Sequence, residues 1–423
     1  MDRNANWYKL DNAAKIVPST ARGANTRVFR ITCELKEEID EKILQSALDE
    51  TIEEFPFFNC VLHRGIFWYY LEDSNLRAVV EKENSPACLP LYIPGHKNLL
   101  YRVNYFEKRI NLEMFHVLAD GTGAFMFFKN LIVRYLQLKH GLSADITPSD
   151  DFSVEEKNGD AFRDFYSKQK GLKQLREMSS VKAYQVSGEL DDNLLPHLIE
   201  GTVSASKFLE VSHKYNTTVG VMCVAVYIKA VLQGMNLSQR KRHIVVTVPV
   251  NLRQYFKSGT ARNFFGIINI DYDPMKESGE FEDIISFVDM SFKDKLSSES
   301  IEKTMNSYAA LEHNVGIKVL PLPIKDIGIG FFDKTAKRGV TSSMSNLGQI
   351  KMPEEVEDYI DRFSAFMTAA SQQITVCSYK DRLVFGEVSP YKTHKVMLNF
   401  FRCLTGMGLE VELGTNDYNE EQK

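Results

Sequence analysis

At 423 residues the chain exceeds what one hydrophobic core covers, and two domains of roughly 200 residues each are expected. Hydrophobic residues at 44% and charged residues at 25% place it among ordinary globular proteins and exclude the disordered and fibrous classes. The net charge is -5, and Lys and Arg are scattered rather than gathered into stripes with aromatics between them, which excludes a nucleic-acid partner.

In chain order, the N-terminal MDRNANWYKLDNAAK has no apolar leader pattern. Thr26 to Leu35 (TRVFRITCEL) is alternating and β-branched, as a strand is. Lys36 to Phe55 repeats Ile39, Ile43, Leu44, Ala47, Leu48 and Ile52 at three- and four-residue steps and stops at Pro56, which predicts a core-facing amphipathic helix. Aromatic-rich Gly65 to Leu71 (GIFWYYL) and alternating Leu99 to Tyr105 add short strand-like runs. Arg109 to Val117 (RINLEMFHV) reads as a strand with Ile110, Leu112, Met114 and His116 on one face. A turn at Leu118 to Gly121 leads into a helix over Thr122 to Lys139, with Gly141 as its stop.

Between about Ser143 and Glu189 the chain turns polar and charge-rich, as a linker does, so a boundary is placed near residue 180. Residues 1–180 form a first half and 181–423 a second. Helices are expected at Ala205 to Tyr215, Thr218 to Leu232 and Glu282 to Leu296, and strands at His243 to Val250, Phe264 to Tyr272 and Gly339 to Asn346. The run Glu354 to Asp361 (EEVEDYID) reads as a solvated helix face, and an α/β stretch begins at Phe363. The fold class is α/β, two halves with mixed sheets. The apolar stretch Val219 to Val231 is too short to span a bilayer and contains Lys229, so a cytoplasmic protein without a transmembrane segment is expected. Cys33, Cys60, Cys88, Cys223, Cys377 and Cys403 form no C-x-x-C pair and have no histidine at ligand spacing, so they read as reduced core thiols and no metal is expected.

The chemistry centres on His116-Val117-Leu118-Ala119-Asp120-Gly121, or H-x-x-x-D-G, a pattern that chance yields about 0.03 times in a chain with nine histidines. A histidine that ends a strand, beside an aspartate in the turn and a glycine permitting a sharp bend, can be held rigidly in a cleft as a general base. Taken alone, the hexamer equally fits a strand-ending histidine beside an Asp-Gly turn. There is no G-x-S-x-G elbow, Walker loop, complete G-x-G-x-x-G or H-E-x-x-H, which removes support for metal and nucleotide hydrolysis.

With these residues in place, the chain resembles the CoA-dependent acyltransferase superfamily of chloramphenicol acetyltransferase, plant acyltransferases, alcohol O-acetyltransferases and peptide-synthetase condensation domains. Val248 to Arg253 (VPVNLR), Arg262 to Gly266 (RNFFG) and Thr341 to Gly348 (TSSMSNLG) resemble its later segments in order and spacing. The resemblance implies two chloramphenicol-acetyltransferase-like domains with an active-site tunnel between them, His116 as base, Asp120 turned away to pair with Arg253, and Gly121 required by backbone shape. It also implies Ser342, Ser345 and Asn346 as oxyanion candidates and Asn263 on the tunnel floor. From the residues alone, Arg253 could be a solvated strand-end arginine, and the serines and asparagines could be ordinary turn or sheet residues.

Phe115 stands where condensation domains carry a second histidine, and VFGE at Val384 to Glu387 replaces the plant D-F-G-W-G, leaving stand-alone alcohol O-acetyltransferases nearest. The expected activity is transfer of an acyl group from acyl-CoA, as cosubstrate rather than tightly bound cofactor, to the hydroxyl or amine of a small acceptor, by a monomer. The alternatives are a condensation-type enzyme taking its donor from an acyl-carrier protein, and a non-catalytic ligand-binding relative.

Overall fold

A computed structural model of the chain describes residues 6–148, 152–165, 182–193, 195–302, 320–368 and 371–416. The boundary placed near residue 180 lies outside the described residues.

The first part of the chain builds two sheets. A small antiparallel one joins β1 (Trp7–Lys9), β3 (Cys60–Arg64) and β4 (Tyr69–Asp73) in the order β1-β4-β3. The larger one contains β2 (Val28–Leu35), β5 (Glu81–Lys82), β6 (Tyr101–Phe106) and β7 (Arg109–Phe115). Helix α1 (Glu41–Glu54) starts where the Asp40 carboxylate accepts the amides of Lys42 and Ile43, and it buries Leu44, Ala47, Leu48 and Thr51. Helix α2 (Gly121–His140) ends at Gly141, which takes the left-handed backbone that glycine adopts without strain.

The later part forms a seven-stranded mixed sheet from β8 (His197–Ser204), β9 (Ile244–Asn251), β10 (Phe265–Tyr272), β11 (Ser342–Gln349), β13 (Gln373–Tyr379), β14 (Arg382–Ser389) and β15 (Glu412–Thr415). Its order is β10-β9-β11-β13-β14-β8-β15, with β11 parallel to both neighbours and the remaining pairs antiparallel. Helices α3 (Ala205–Lys214), α4 (Val219–Gly234), α5 (Phe281–Lys295) and α7 (Lys395–Gly406) share one core with this sheet. Each fully buried Leu, Ile or Phe side chain there contributes about 1.5–3 kcal/mol over leaving it in water.

Strand alternation decides what the other face of that sheet does. Val246, Val248, Ile268, Ile270, Met344, Ile374 and Val376 point into the helical core. Their neighbours Thr247, Pro249, Ile267, Asn269, Ser343, Ser345, Gln373 and Thr375 therefore point the opposite way, and they line a cavity of about 2880 Å³. Phe29 and Ile31 of β2 line it from the other sheet.

Several elements depart from the sequence reading, among them β8, where no strand was expected. β12 (Ile360–Met367) comes from the late part of the chain but pairs antiparallel with β2, completing the five-stranded order β12-β2-β7-β6-β5. The run at Glu354 to Asp361 is not one solvated helix face: the helix covers Glu354–Glu357 only and β12 begins at Ile360, because Val356 and Ile360 are both buried and pull the segment onto the sheet. Helix α6 (Leu322–Lys337) is not foreseen; its prolines fit its first turn, but Gly328 and Gly330 in its interior lower its intrinsic propensity, and it is held from outside, by Ser19 and Arg64 on Asp326 and by Lys325 over the Trp68 ring. All six cysteines are free thiols, five buried and Cys403 half-buried. Among the described residues no single helix is long and apolar enough to cross a membrane.

Candidate active site

β7 stops at Phe115, and the His116 amide donates to the Arg27 carbonyl (3.0 Å), prolonging the pairing with β2 by one step. The Leu118 amide then bonds back to the Phe115 carbonyl (3.0 Å), turning the chain toward α2. His116 is half-buried on the cavity wall, edge-on to Phe29 (centroids 5.4 Å apart) and tilted against Phe265 (5.6 Å). The two rings come from the two large sheets and limit how far the imidazole can swing.

Behind the imidazole lies Asn263, whose Oδ1 is 3.0 Å from His116 Nδ1. The Asn263 Nδ2 donates to the Asp11 carboxylate (3.1 Å) and to the His116 carbonyl (3.2 Å). No hydrogen bond reaches His116 Nε2 among the described residues. Burial holds the His116 imidazole below the ordinary histidine range; Asp120, the ring's own backbone carbonyl and Asn263 work against that shift, and Arg27 adds to it. Burial also pushes the Asp11 carboxyl up to about 6, against the opposing pull of Arg262, the Ala14 amide and Asn263.

The buried Asp120 carboxylate ties three segments together. Its Oδ1 caps α2 by accepting the Gly123 amide (2.9 Å). Its Oδ2 accepts Arg253 Nη1 (2.8 Å) and the Phe264 amide (2.8 Å). Arg253, on the short helix Arg253–Phe256, also donates to the carbonyls of Thr260 and Arg262, so one guanidinium fixes the whole loop that carries Asn263.

The other expected site residues are placed as follows. Gly121 opens α2 without a left-handed backbone, so the bend expected of it does not by itself require glycine; a Cβ there would lie 2.6 Å from Leu347 Cδ2, the end of a half-buried side chain that can turn aside. Ser342, Ser345 and Asn346 share the cavity with His116. The Ser342 hydroxyl is already donated to the Gln372 carbonyl (2.9 Å), and Asn346 Oδ1 accepts the Gly348 amide (2.9 Å) within a strand irregularity. Ser345 is half-buried on the cavity-facing side of β11. Asn263, expected on the tunnel floor, is 1% exposed and lies behind His116 rather than on the wall, because its amide is consumed by the histidine and Asp11.

Two residues escaped sequence reading. Asp11 sits in an N-terminal loop with no periodicity to mark it, and its partner is 252 positions away. Arg27 lines the cavity with a backbone φ of 57°, a strained value for a residue with a side chain, and its guanidinium reaches Asp333 of α6 at 3.3 Å.

No family model matches the chain, and no curated protein sequence matches it significantly. Solved structures do. The first condensation domain of the calcium-dependent antibiotic synthetase, in complex with a substrate analogue, aligns with a TM-score of 0.64 at 11% identity over 96% of both chains. TRI101 of F. graminearum, complexed with ethyl coenzyme A, aligns at 0.62 and 10% identity, covering 96% of this chain and 99% of that one. The TRI3 trichothecene 15-O-acetyltransferase of Fusarium sporotrichioides aligns at 0.62 and 12% identity, covering 95% and 94%. The chain therefore has the two-domain α/β fold with mixed sheets that these proteins share.

Proposed function

We propose that this chain moves an acyl group from an acyl-CoA thioester to the hydroxyl or amine of a small acceptor, as a cytoplasmic monomer with His116 as general base. One observation carries the reading: in this fold, a histidine stands on the wall of a large cavity with Nδ1 engaged from behind and Nε2 unengaged among the described residues. Residues 1–180 and 181–423 are the two halves that enclose the substrates, with β12 lent by the second to the first.

In the reaction, Nε2 takes the proton of the acceptor, whose oxygen or nitrogen attacks the thioester carbonyl carbon. The C–S bond breaks as the tetrahedral intermediate collapses, and the imidazolium returns its proton to the departing thiolate. The Ser345 hydroxyl is the donor on the wall for the developing oxyanion. Asp120 and Arg253 shape the loop and touch no reacting atom. Lys182, Lys334 and Arg338 line the same cavity and supply positive charge for the phosphates of CoA. Likeness to a condensation domain makes a carrier-protein-bound acyl group the second donor to test.

Thiol release from acetyl-CoA and longer acyl-CoAs, measured over a panel of alcohols and amines, is expected in the wild type and is expected to fall at least about 100-fold in His116→Ala. Undiminished release in His116→Ala would remove the histidine from the chemistry; release only with an acyl-carrier protein would replace CoA as donor. The acid limb supplies a second check. A base must be neutral to act, and this imidazole is held low by burial, so kcat/KM is expected to be lost only as pH falls below about 6.5. An acid limb centred above neutrality would contradict the assignment.

A further inference from the structure

The hydrogen bonds around Asn263 run in one direction only. Its Nδ2 faces the Asp11 carboxylate (3.1 Å) and the carbonyls of His116 (3.2 Å) and Val117 (3.5 Å), all of which accept and none of which can donate. Reversing the amide would set Oδ1 against these oxygens inside a site where Asp11 and Asn263 are each 1% exposed, and an unpaired polar group there costs about 1–3 kcal/mol. With the amide so oriented, Oδ1 meets His116 Nδ1, which must then carry the proton and leave the lone pair on Nε2. Asp11 is itself held, Oδ1 by the Ala14 amide (2.8 Å) and Oδ2 by Asn263, with Arg262 Nε at 3.9 Å.

We infer that Asp11 and Asn263 are positioning residues: the acceptor-only carboxylate of Asp11, together with the His116 and Val117 carbonyls, chooses the direction of the Asn263 amide, and the amide chooses the tautomer of His116. Their importance for catalysis rests on the acyl-transfer reading above, whereas the tautomer itself does not. The rival is the histidine's own carbonyl, which also acts on the ring. Asp11 remains an acceptor at pH 7.5, since its carboxyl titrates near 6.

The test is nitrogen NMR of the full chain labelled with ¹⁵N-histidine at pH 7.5, with the His116 signals identified by their loss in His116→Gln. The expected wild-type ring has a pyrrole-type Nδ1 and a pyridine-type Nε2. In Asn263→Ala both tautomers should be populated, and kcat should fall about 10-fold or more with KM little changed. In Asp11→Asn the new side chain must give its oxygen to the Ala14 amide, so its NH₂ confronts Asn263 and opposes the direction that the His116 and Val117 carbonyls still favour, and part of the ring population should move to the Nε2–H form. A wild-type Nε2–H ring overturns the inference whether or not the variants fold. A pure Nδ1–H ring in folded Asn263→Ala and Asp11→Asn also overturns it, and assigns the tautomer to the backbone carbonyl. A wild type that shows Nδ1–H but transfers no acyl group to any acceptor sinks the acyl-transfer reading alone.

Discussion

Replacing Asp120 by alanine is expected to lower the unfolding free energy by about 3–5 kcal/mol, the range seen when one partner of a buried ion pair is removed. The side chains of Asp120 and Arg253 are 7% and 6% exposed. Without the carboxylate, the Arg253 guanidinium keeps only carbonyl and amide-oxygen partners at Thr260, Arg262, Phe264 and Asn251, and its charge is left without a counter-ion. The Phe264 amide also loses its acceptor, and α2 loses its cap, which by itself is worth about 1 kcal/mol. Asp120→Asn keeps the cap and should cost less. The double variant Asp120→Ala with Arg253→Met should cost less than the sum of the single ones, because the uncompensated charge leaves with the arginine. Urea unfolding of the wild type, Asp120→Ala, Asp120→Asn, Arg253→Met and the double variant measures this; a loss below about 1 kcal/mol in Asp120→Ala would mean that water or the loop carbonyls already satisfy the arginine.

Gly123→Ala is the second large effect. A Cβ at Gly123 would lie 1.9 Å from the carbonyl oxygen of Ala261 and 2.6 Å from its carbon, both backbone atoms. The loop cannot retreat easily: the Ala261 amide is bonded to the Lys157 carbonyl (2.8 Å), and Arg253 holds the carbonyls on either side. Alanine gains about 1 kcal/mol of helix propensity over glycine, but overpacking against fixed backbone is expected to outweigh that and leave a net loss of about 2 kcal/mol or more. Asn263 is two residues beyond Ala261, so the displaced loop should also slacken the bond to His116. Thermal unfolding reads the first effect, and the His116 ring signals read the second. An unchanged melting temperature would show that α2 and the loop can part without cost.

Local order in this molecule was written in short stretches of sequence. The alternation of β2, the three- and four-residue steps of α1, and the strand, turn and helix around H-x-x-x-D-G depend on neighbours within a few positions, so their elements were legible to within a few residues. The same holds for the stop at Gly141, whereas the cap at Asp120, which was read only as a turn residue, came from the structure. The pairing of Asp120 with Arg253 was anticipated only through resemblance, since nothing in either local segment names the other. What the tertiary structure decided are contacts between residues far apart in the chain. β12 could have joined either sheet by its own pattern, and its place is set by its antiparallel pairing with β2 at the far end of the chain. Helix α6 forms against its own propensity because Ser19, Arg64 and Trp68 hold it. Asp11, Asn263 and His116 meet although 252 and 147 positions separate the pairs, and no periodicity records such a meeting. The sequence by itself determined which histidine stands at the end of a strand, because that depends on near neighbours; the packing of distant segments around it determined which of its nitrogens meets Asn263.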